Sequence, residues 1–189
     1  IIERLKQLHI VPLAISYEYD PCDYLKAREY QLRRDLPYWK KTAEDDLESM
    51  LVGIKGYKGH IFYKCAPCID EWLDTVDEDL PKNKLFDAIA AHIDHEIHCN
   101  YKLYPINYVA LDMIQDTRVY EEYYTVEDYQ NFNDYLNGQI EKIEIENRDD
   151  KFLRTCFLTQ YAYPAKNYIA ASSENGRFKS LLNRLTFKK

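Results

Sequence analysis

Ile10-Val11-Pro12-Leu13-Ala14-Ile15-Ser16-Tyr17-Glu18-Tyr19 begins as a continuous apolar run and turns polar at its end. A strand buried on both faces reads this way where it emerges at the edge of a sheet. Pro12 near its start is tolerable, since a missing N–H is least costly at a strand beginning. This decides for a mixed fold over an all-helical one. Upstream, Ile1-Ile2-Glu3-Arg4-Leu5-Lys6-Gln7-Leu8 reads as the tail of an amphipathic helix, and the first residue is Ile rather than Met. The expectation is that the chain opens inside a domain. Downstream, Asp20-Pro21 breaks the strand and 22–35 is expected to be helical. A second helix follows over 42–53, where Thr42 and Asp45 have capping-box spacing and the acidic first turn suits the helix dipole.

Gly53, Gly56 and Gly59 then turn the chain into Gly59-His60-Ile61-Phe62-Tyr63-Lys64-Cys65-Ala66, the second strand. Beyond Ile69 the β signal stops. Over 82–101, Leu85, Ile89, Ile93 and Ile97 recur at every fourth position, broadened by Phe86 and Ala90 into the stripe of a half-buried helix. Further helices are expected over 107–116, from Thr125 with a capping box to Asp128, and over 149–161. The Thr125 helix would bury Tyr129, Phe132, Leu136, Ile140 and Ile143. Pro105 and Pro164 each read as a helix start. The fold class is therefore α+β, predominantly α, with two strands at about 10–19 and 59–67 followed by a helical C-terminal region. Residues 1–80 form the first domain in this reading, and 81–189 the helical region with its basic amphipathic tail.

The 189 residues suit about one domain with a real core. With 25 Lys and Arg against 32 Asp and Glu, the net charge is −7, opposite to the balance of a protein that binds nucleic acid by neutralising phosphates. Five glycines leave no dinucleotide fingerprint and no phosphate loop. No apolar run reaches the length of a membrane span. The charge is uneven: residues 112–150 hold 12 acids and 3 bases, while 151–189 hold 8 bases and 1 acid. Near the end, Phe178, Leu181, Leu182 and Leu185 share one helix face among Arg177, Lys179, Arg184, Lys188 and Lys189. Such a helix docks on its own domain or lies on an anionic lipid surface. The 18 tyrosines favour half-wet positions of either kind.

Cys22, Cys65, Cys68, Cys99 and Cys156 are odd in number and irregular in spacing, which favours a reducing compartment over a disulfide framework. Cys65-Ala66-Pro67-Cys68 after a strand has the local form of a thiol-redox motif, but that fold needs later strands. His92, His95 and Cys99 fall on one helix face and, joined by Cys65 and Cys68, would offer a zinc donor set. Small thiols ending a strand and polar flanks beside an apolar stripe explain both features more simply. No Gly-x-Ser-x-Gly elbow occurs.

The block Ile10-Val11-Pro12-Leu13-Ala14-Ile15-Ser16-Tyr17-Glu18 resembles the last of four motif blocks in the glycerol-phosphate and lysophosphatidic acid acyltransferases, where a Val-Pro-x-x-Ile strand leads into Ser-Tyr-Glu. Tyr19-Asp20-Pro21-Cys22-Asp23-Tyr24-Leu25-Lys26-Ala27 is similar to a bacterial subgroup of that family. So are Ala66-Pro67-Cys68-Ile69, Ile93-Asp94 with Ile97-His98, Asn100-Tyr101-Lys102-Leu103-Tyr104-Pro105 and Asn107-Tyr108-Val109-Ala110. The resemblance implies transfer of a fatty acyl group from a CoA or acyl carrier protein thioester to a glycerolipid acceptor in phospholipid synthesis. It also implies that Pro12, Ser16, Tyr17 and Glu18 help shape the acceptor pocket. Activity in that family depends on a His-x-x-x-x-Asp block upstream. The residues five places after His9, His60, His92, His95 and His98 are Ala14, Cys65, Ile97, Asn100 and Leu103, so no catalytic residue is expected within this chain. The Phe-Pro-Glu-Gly phosphate block is absent as well. The chain therefore resembles the C-terminal portion of such an enzyme and would be inactive alone. No cofactor or resident metal is implied. The expected setting is cytoplasmic, with peripheral contact on the inner face of the membrane through residues 177–189. A membrane- or protein-binding helical module and a thiol or zinc protein using Cys65 and Cys68 are the alternatives.

Overall fold

The computed structural model describes residues 1–77 and 79–174. The basic tail at 177–189 lies outside the described residues. The fold is α+β and predominantly α, as the sequence predicts, with one two-stranded sheet among the described residues. The elements run α1 (Ile2–Lys6), β1 (Leu13–Tyr17), α2 (Asp23–Asp35), α3 (Ala43–Lys55), β2 (Ile61–Cys65), α4 (Asp70–Leu73), α5 (Lys82–Cys99), α6 (Pro105–Gln115), a 3-10 turn (Glu121–Tyr123), α7 (Val126–Glu141) and α8 (Asp150–Glu174).

The chain folds as two compact units, each gathered from separate stretches. The first comprises Ile1–Ser16, Phe62–Lys102 and the described residues from Asn167 onward. Its sheet is antiparallel: Pro12 O accepts from Ala66 N at 2.9 Å, and beyond the strands Ile10 O accepts from Ile69 N at 3.0 Å. This register sets Leu13 opposite Cys65 and Ile15 opposite Tyr63. Along β1 and the two residues before it, Pro12, Ala14 and Ser16 are buried while Val11, Leu13, Ile15 and Tyr17 are exposed, so one face is covered and not both as the continuous apolar run suggests. All five residues of β2 are exposed. The core lies elsewhere, where Ile2 of α1, Ile69, Leu73 of α4, and Leu85 and Ile89 of α5 pack together with Leu5, Trp72 and Ile93. The four-residue periodicity read in the sequence thus meets its partners. Phe86 and Ala90 lie on the solvent side instead of widening the stripe, because the facing elements are short.

The second unit comprises Tyr17–Ile61 and Leu103–Lys166. Here α7 packs against α6 and α2. Val109, Phe132, Leu136, Leu153 and Phe157 are wholly buried, and Phe132 meets the edge of Tyr161 at 5.3 Å between ring centres. Both capping boxes form: Thr42 with Asp45 ahead of α3 and Thr125 with Asp128 ahead of α7. Each satisfies two donors that the first turn would otherwise leave bare.

In this unit two details differ from the sequence reading. Tyr129 is 43% exposed, because the buried arc of α7 runs through Phe132, Leu136, Gln139 and Ile140 and leaves the first turn open. Pro164 does not start a helix; it sits inside α8, whose face of Leu153, Phe157, Tyr161 and Ala165 is buried on both sides of it. Packing along that face outweighs the lost N–H.

Candidate functional site

The four residues singled out from the acyltransferase-like block have distinct surroundings. In the first unit, Pro12 is buried and its carbonyl holds the Ala66 amide. Ser16 is 8% exposed, and its hydroxyl oxygen accepts the Lys102 backbone N–H at 2.9 Å. In the second unit, Tyr17 presents its ring to solvent, while Glu18 is folded back onto the chain. Glu18 Oε2 accepts the His60 backbone N–H at 2.9 Å and lies 2.6 Å from His60 Nδ1. Gly59 makes this closeness possible. Its φ is +63°, and a Cβ there would come within 2.4 Å of Glu18 Oε2 and 2.9 Å of Tyr19 Cδ2. The polar exit of the strand is therefore a fixed turn, with Tyr17 41% exposed beside it.

Six residues past the strand, the second unit buries a carboxylate. Asp23, at the start of α2, has no exposed surface. Its Oδ2 accepts the hydroxyls of Tyr135 at 2.6 Å and Tyr161 at 2.7 Å, and its Oδ1 accepts the Tyr24 N–H at 2.6 Å. Burial drives its pKa up, against the pull of the two tyrosines. The same burial drives both tyrosine hydroxyls strongly upward, with the Asp23 charge adding to it. Tyr161 also accepts the Asp20 N–H at 3.1 Å, and Gln139 donates to Tyr135 at 2.6 Å. Asp20 itself takes Gln160 at 2.7 Å and pairs with Lys26. Sequence spacing gives no hint of these partners, which lie 112 and 138 residues from Asp23. The high tyrosine content was the one available signal. With Asp23 fully buried, Tyr161 nearly so and Tyr135 half-buried, the group ties α2, α7 and α8 together, and its carboxylate has no exposed atom with which to react.

A second buried carboxylate shapes a cavity. Asp112 of α6 accepts Thr117 Oγ1 at 2.7 Å, the amides of Val119 at 2.9 Å and Tyr120 at 3.0 Å, and the Tyr124 hydroxyl at 2.9 Å. These bonds wind the chain into a fixed loop. Burial beside that carboxylate raises the hydroxyl pKa of Tyr120 and of Tyr124 to about 12 each. The loop walls a cavity of about 1000 Å³ whose lining mixes Arg118, Arg154, Glu121 and Glu122 with Met113 and Leu158. Arg154 is already held by Asn133 and Asn137 at 2.5 and 3.1 Å.

The five cysteines are all free thiols. Burial raises the thiol pKa of Cys22 and of Cys156, which makes both poor nucleophiles. The His92 ring stacks on Trp72 at 4.0 Å and an interplanar angle of 4°, and burial lowers its pKa. His95 Nε2 lies 3.6 Å from Cys99 Sγ. Neither joins Cys65 and Cys68 in a donor cluster; among the described residues, the cluster of three or more metal-ligating side chains is His9, Cys68 and Asp70. His9 carried no signal in the sequence, because it is brought to Asp70 across 61 residues.

Among the described residues no helix is long and apolar enough to cross a membrane. In comparisons with known proteins, no family model matches the chain, and neither a curated protein nor a solved structure gives a significant match.

Proposed function

We propose that these residues are the distal, acceptor-side part of an acyltransferase that moves a fatty acyl group from a CoA or carrier-protein thioester to a lysophosphatidate-like glycerolipid. The observation that carries this reading is the state of β1. The Val-Pro-x-x-Ile block forms a strand with one hydrogen-bonded neighbour among the described residues, yet Val11, Leu13 and Ile15 present an apolar face to solvent, with Tyr63 beside them. Strands with two apolar faces belong inside sheets covered on both sides. The series of motif-like blocks through Ala110 supports the same reading.

In the reaction, a His-x-x-x-x-Asp base outside these residues takes the proton of the acceptor hydroxyl. The oxygen attacks the thioester carbonyl, the C–S bond breaks, and the thiol leaves carrying a proton as the ester forms. Tyr17 would contact the acceptor, while Pro12, Ser16 and Glu18 hold the strand exit in shape. The setting in this proposal is cytoplasmic, at the inner face of the membrane that receives the product, with residues 177–189 as the contact.

An acyl-transfer assay tests it. The 189 residues alone should transfer nothing from acyl-CoA or acyl carrier protein to lysophosphatidate. The full product of the reading frame should be active and should carry His-x-x-x-x-Asp ahead of Ile1. Tyr17→Ala in that product should raise KM for the acceptor about tenfold, with a smaller change in kcat. A reading frame with no such block, or a full product inert towards lysoglycerolipids, overturns the proposal.

A further inference from the structure

The cluster at His9, Cys68 and Asp70 has a construction that a surface ion pair does not need. His9 follows α1 with a backbone at φ +48°, an uncommon conformation for a residue with a Cβ. Beside it is a clamp, where Ile69 N donates to Ile10 O at 3.0 Å and Ile69 and Leu73 are sunk in the core. Two chain segments are thus pinned side by side, one ending in His9 and the other carrying Cys68 and Asp70. The donor atoms of the three side chains all lie within 4.8 Å of one another.

Asp70 is only half accounted for by protein partners. Its Oδ2 lies 2.6 Å from His9 Nδ1, and this bond, with a weaker pull from the Cys68 thiol, keeps the carboxyl below its usual range. Its Oδ1 is buried and has no hydrogen-bond partner among the described residues. Buried carboxylate oxygens are rarely left so, and a bound ion is one of the few explanations for an orphan. The nearby ammonium does not supply it, since Lys6 is paired with Asp74 at 2.6 Å.

The geometry points to a divalent metal site formed by His9, Cys68 and Asp70, with zinc as the ion that its donors fit. An imidazole nitrogen, a thiolate and a carboxylate oxygen are the donor types zinc takes, and the thiolate argues against magnesium or calcium. Thiolate and carboxylate together cancel the charge of the ion. Zinc holds such donors about 2.0–2.3 Å away, so in a tetrahedron they stand roughly 3.2–3.7 Å apart. His9 and Asp70 need to part slightly, and Cys68 to close in by about 1 Å at most. The His9 side chain is 77% exposed and free to make that adjustment. Three protein donors leave the fourth position to water, the arrangement of an open site.

The test is titration of the chelator-treated full chain with cobalt(II), a spectroscopic stand-in for zinc. One equivalent should bind with a thiolate-to-cobalt charge-transfer band in the near ultraviolet, and zinc should displace it. His9→Gln and Cys68→Ser should each weaken binding about tenfold or more, and Cys68→Ser should remove the band. Cys65→Ser should leave both unchanged. His9 is exposed, so its variant tests the site without endangering the fold. Absence of stoichiometric binding, a band that survives Cys68→Ser, binding unaffected by His9→Gln, or equal loss in Cys65→Ser each overturns the assignment.

Discussion

Asp23 concentrates the tension between burial and charge. Replacing it with Ala leaves the Tyr135 and Tyr161 hydroxyls without their shared acceptor and should cost about 2–3 kcal/mol in urea unfolding. Asp23→Asn keeps an acceptor oxygen and no charge, so its cost should stay near 1 kcal/mol. The two proteins should also diverge with pH. Because burial raises the Asp23 pKa above its ordinary 3.8, its stabilising share is complete below that value and is lost as pH rises through the raised one. Relative to wild type, the Asn variant should therefore fare worst in acid and gain as pH rises. At Gly59 the constraint is steric: Gly59→Ala combines a positive φ with a clash against Glu18 and Tyr19. A loss of about 1–3 kcal/mol is expected, seen as a lower midpoint in thermal unfolding.

At the level of elements, local signals carried far and non-local ones did not. The Thr42–Asp45 and Thr125–Asp128 spacings located the starts of α3 and α7, because a capping box lies within four residues of chain. The apolar run at 10–19 located β1 for a similar reason, since the break at Asp20-Pro21 is written locally; that only one face of the strand is covered depends on distant partners and was not legible there. Tyr129 was misplaced because an i, i+3, i+4 pattern says which residues share a face but not how far the covering neighbour extends. Pro164 misled because its cost is local while the burial of α8 that outweighs it is not. The Asp23 group and the His9 cluster were invisible for the same reason. His92 gives a test at this scale: burial of the ring, which stacks on Trp72, lowers its pKa below 6.5, so its neutral form is favoured by the fold. The unfolded chain binds the proton more readily, and stability should fall as pH drops through and below that value. His92→Phe should keep the stack and flatten this part of the pH profile, as followed by Trp fluorescence during unfolding.

For the molecule as a whole, the apolar outer face of β1 is the feature most at odds with an isolated existence. Leu13 is 43% exposed, Ile15 42% and Tyr63 58%, side by side on one face. A patch of this kind binds hydrophobic dyes or a partner surface. Ile15→Glu should change the unfolding free energy by less than about 1 kcal/mol while lowering dye fluorescence and any concentration-dependent association seen by sedimentation. Equal dye binding in the variant would place the sticky surface elsewhere.

The discontinuous make-up of the two units bears on how the protein is made. The first unit takes Ile1–Ser16, then Phe62–Lys102, then residues from Asn167 onward. A ribosome releases the earliest of these well before the last, and at bacterial or eukaryotic synthesis rates of about 5–20 residues per second the wait is roughly 10 s or more. Throughout that interval the nascent α1, β1 and β2 lack part of their own unit. Neither unit is drawn from one contiguous stretch of chain, so each can be completed only after its last segment has been made, and β1 waits with its apolar face uncovered until the residues from Asn167 onward follow.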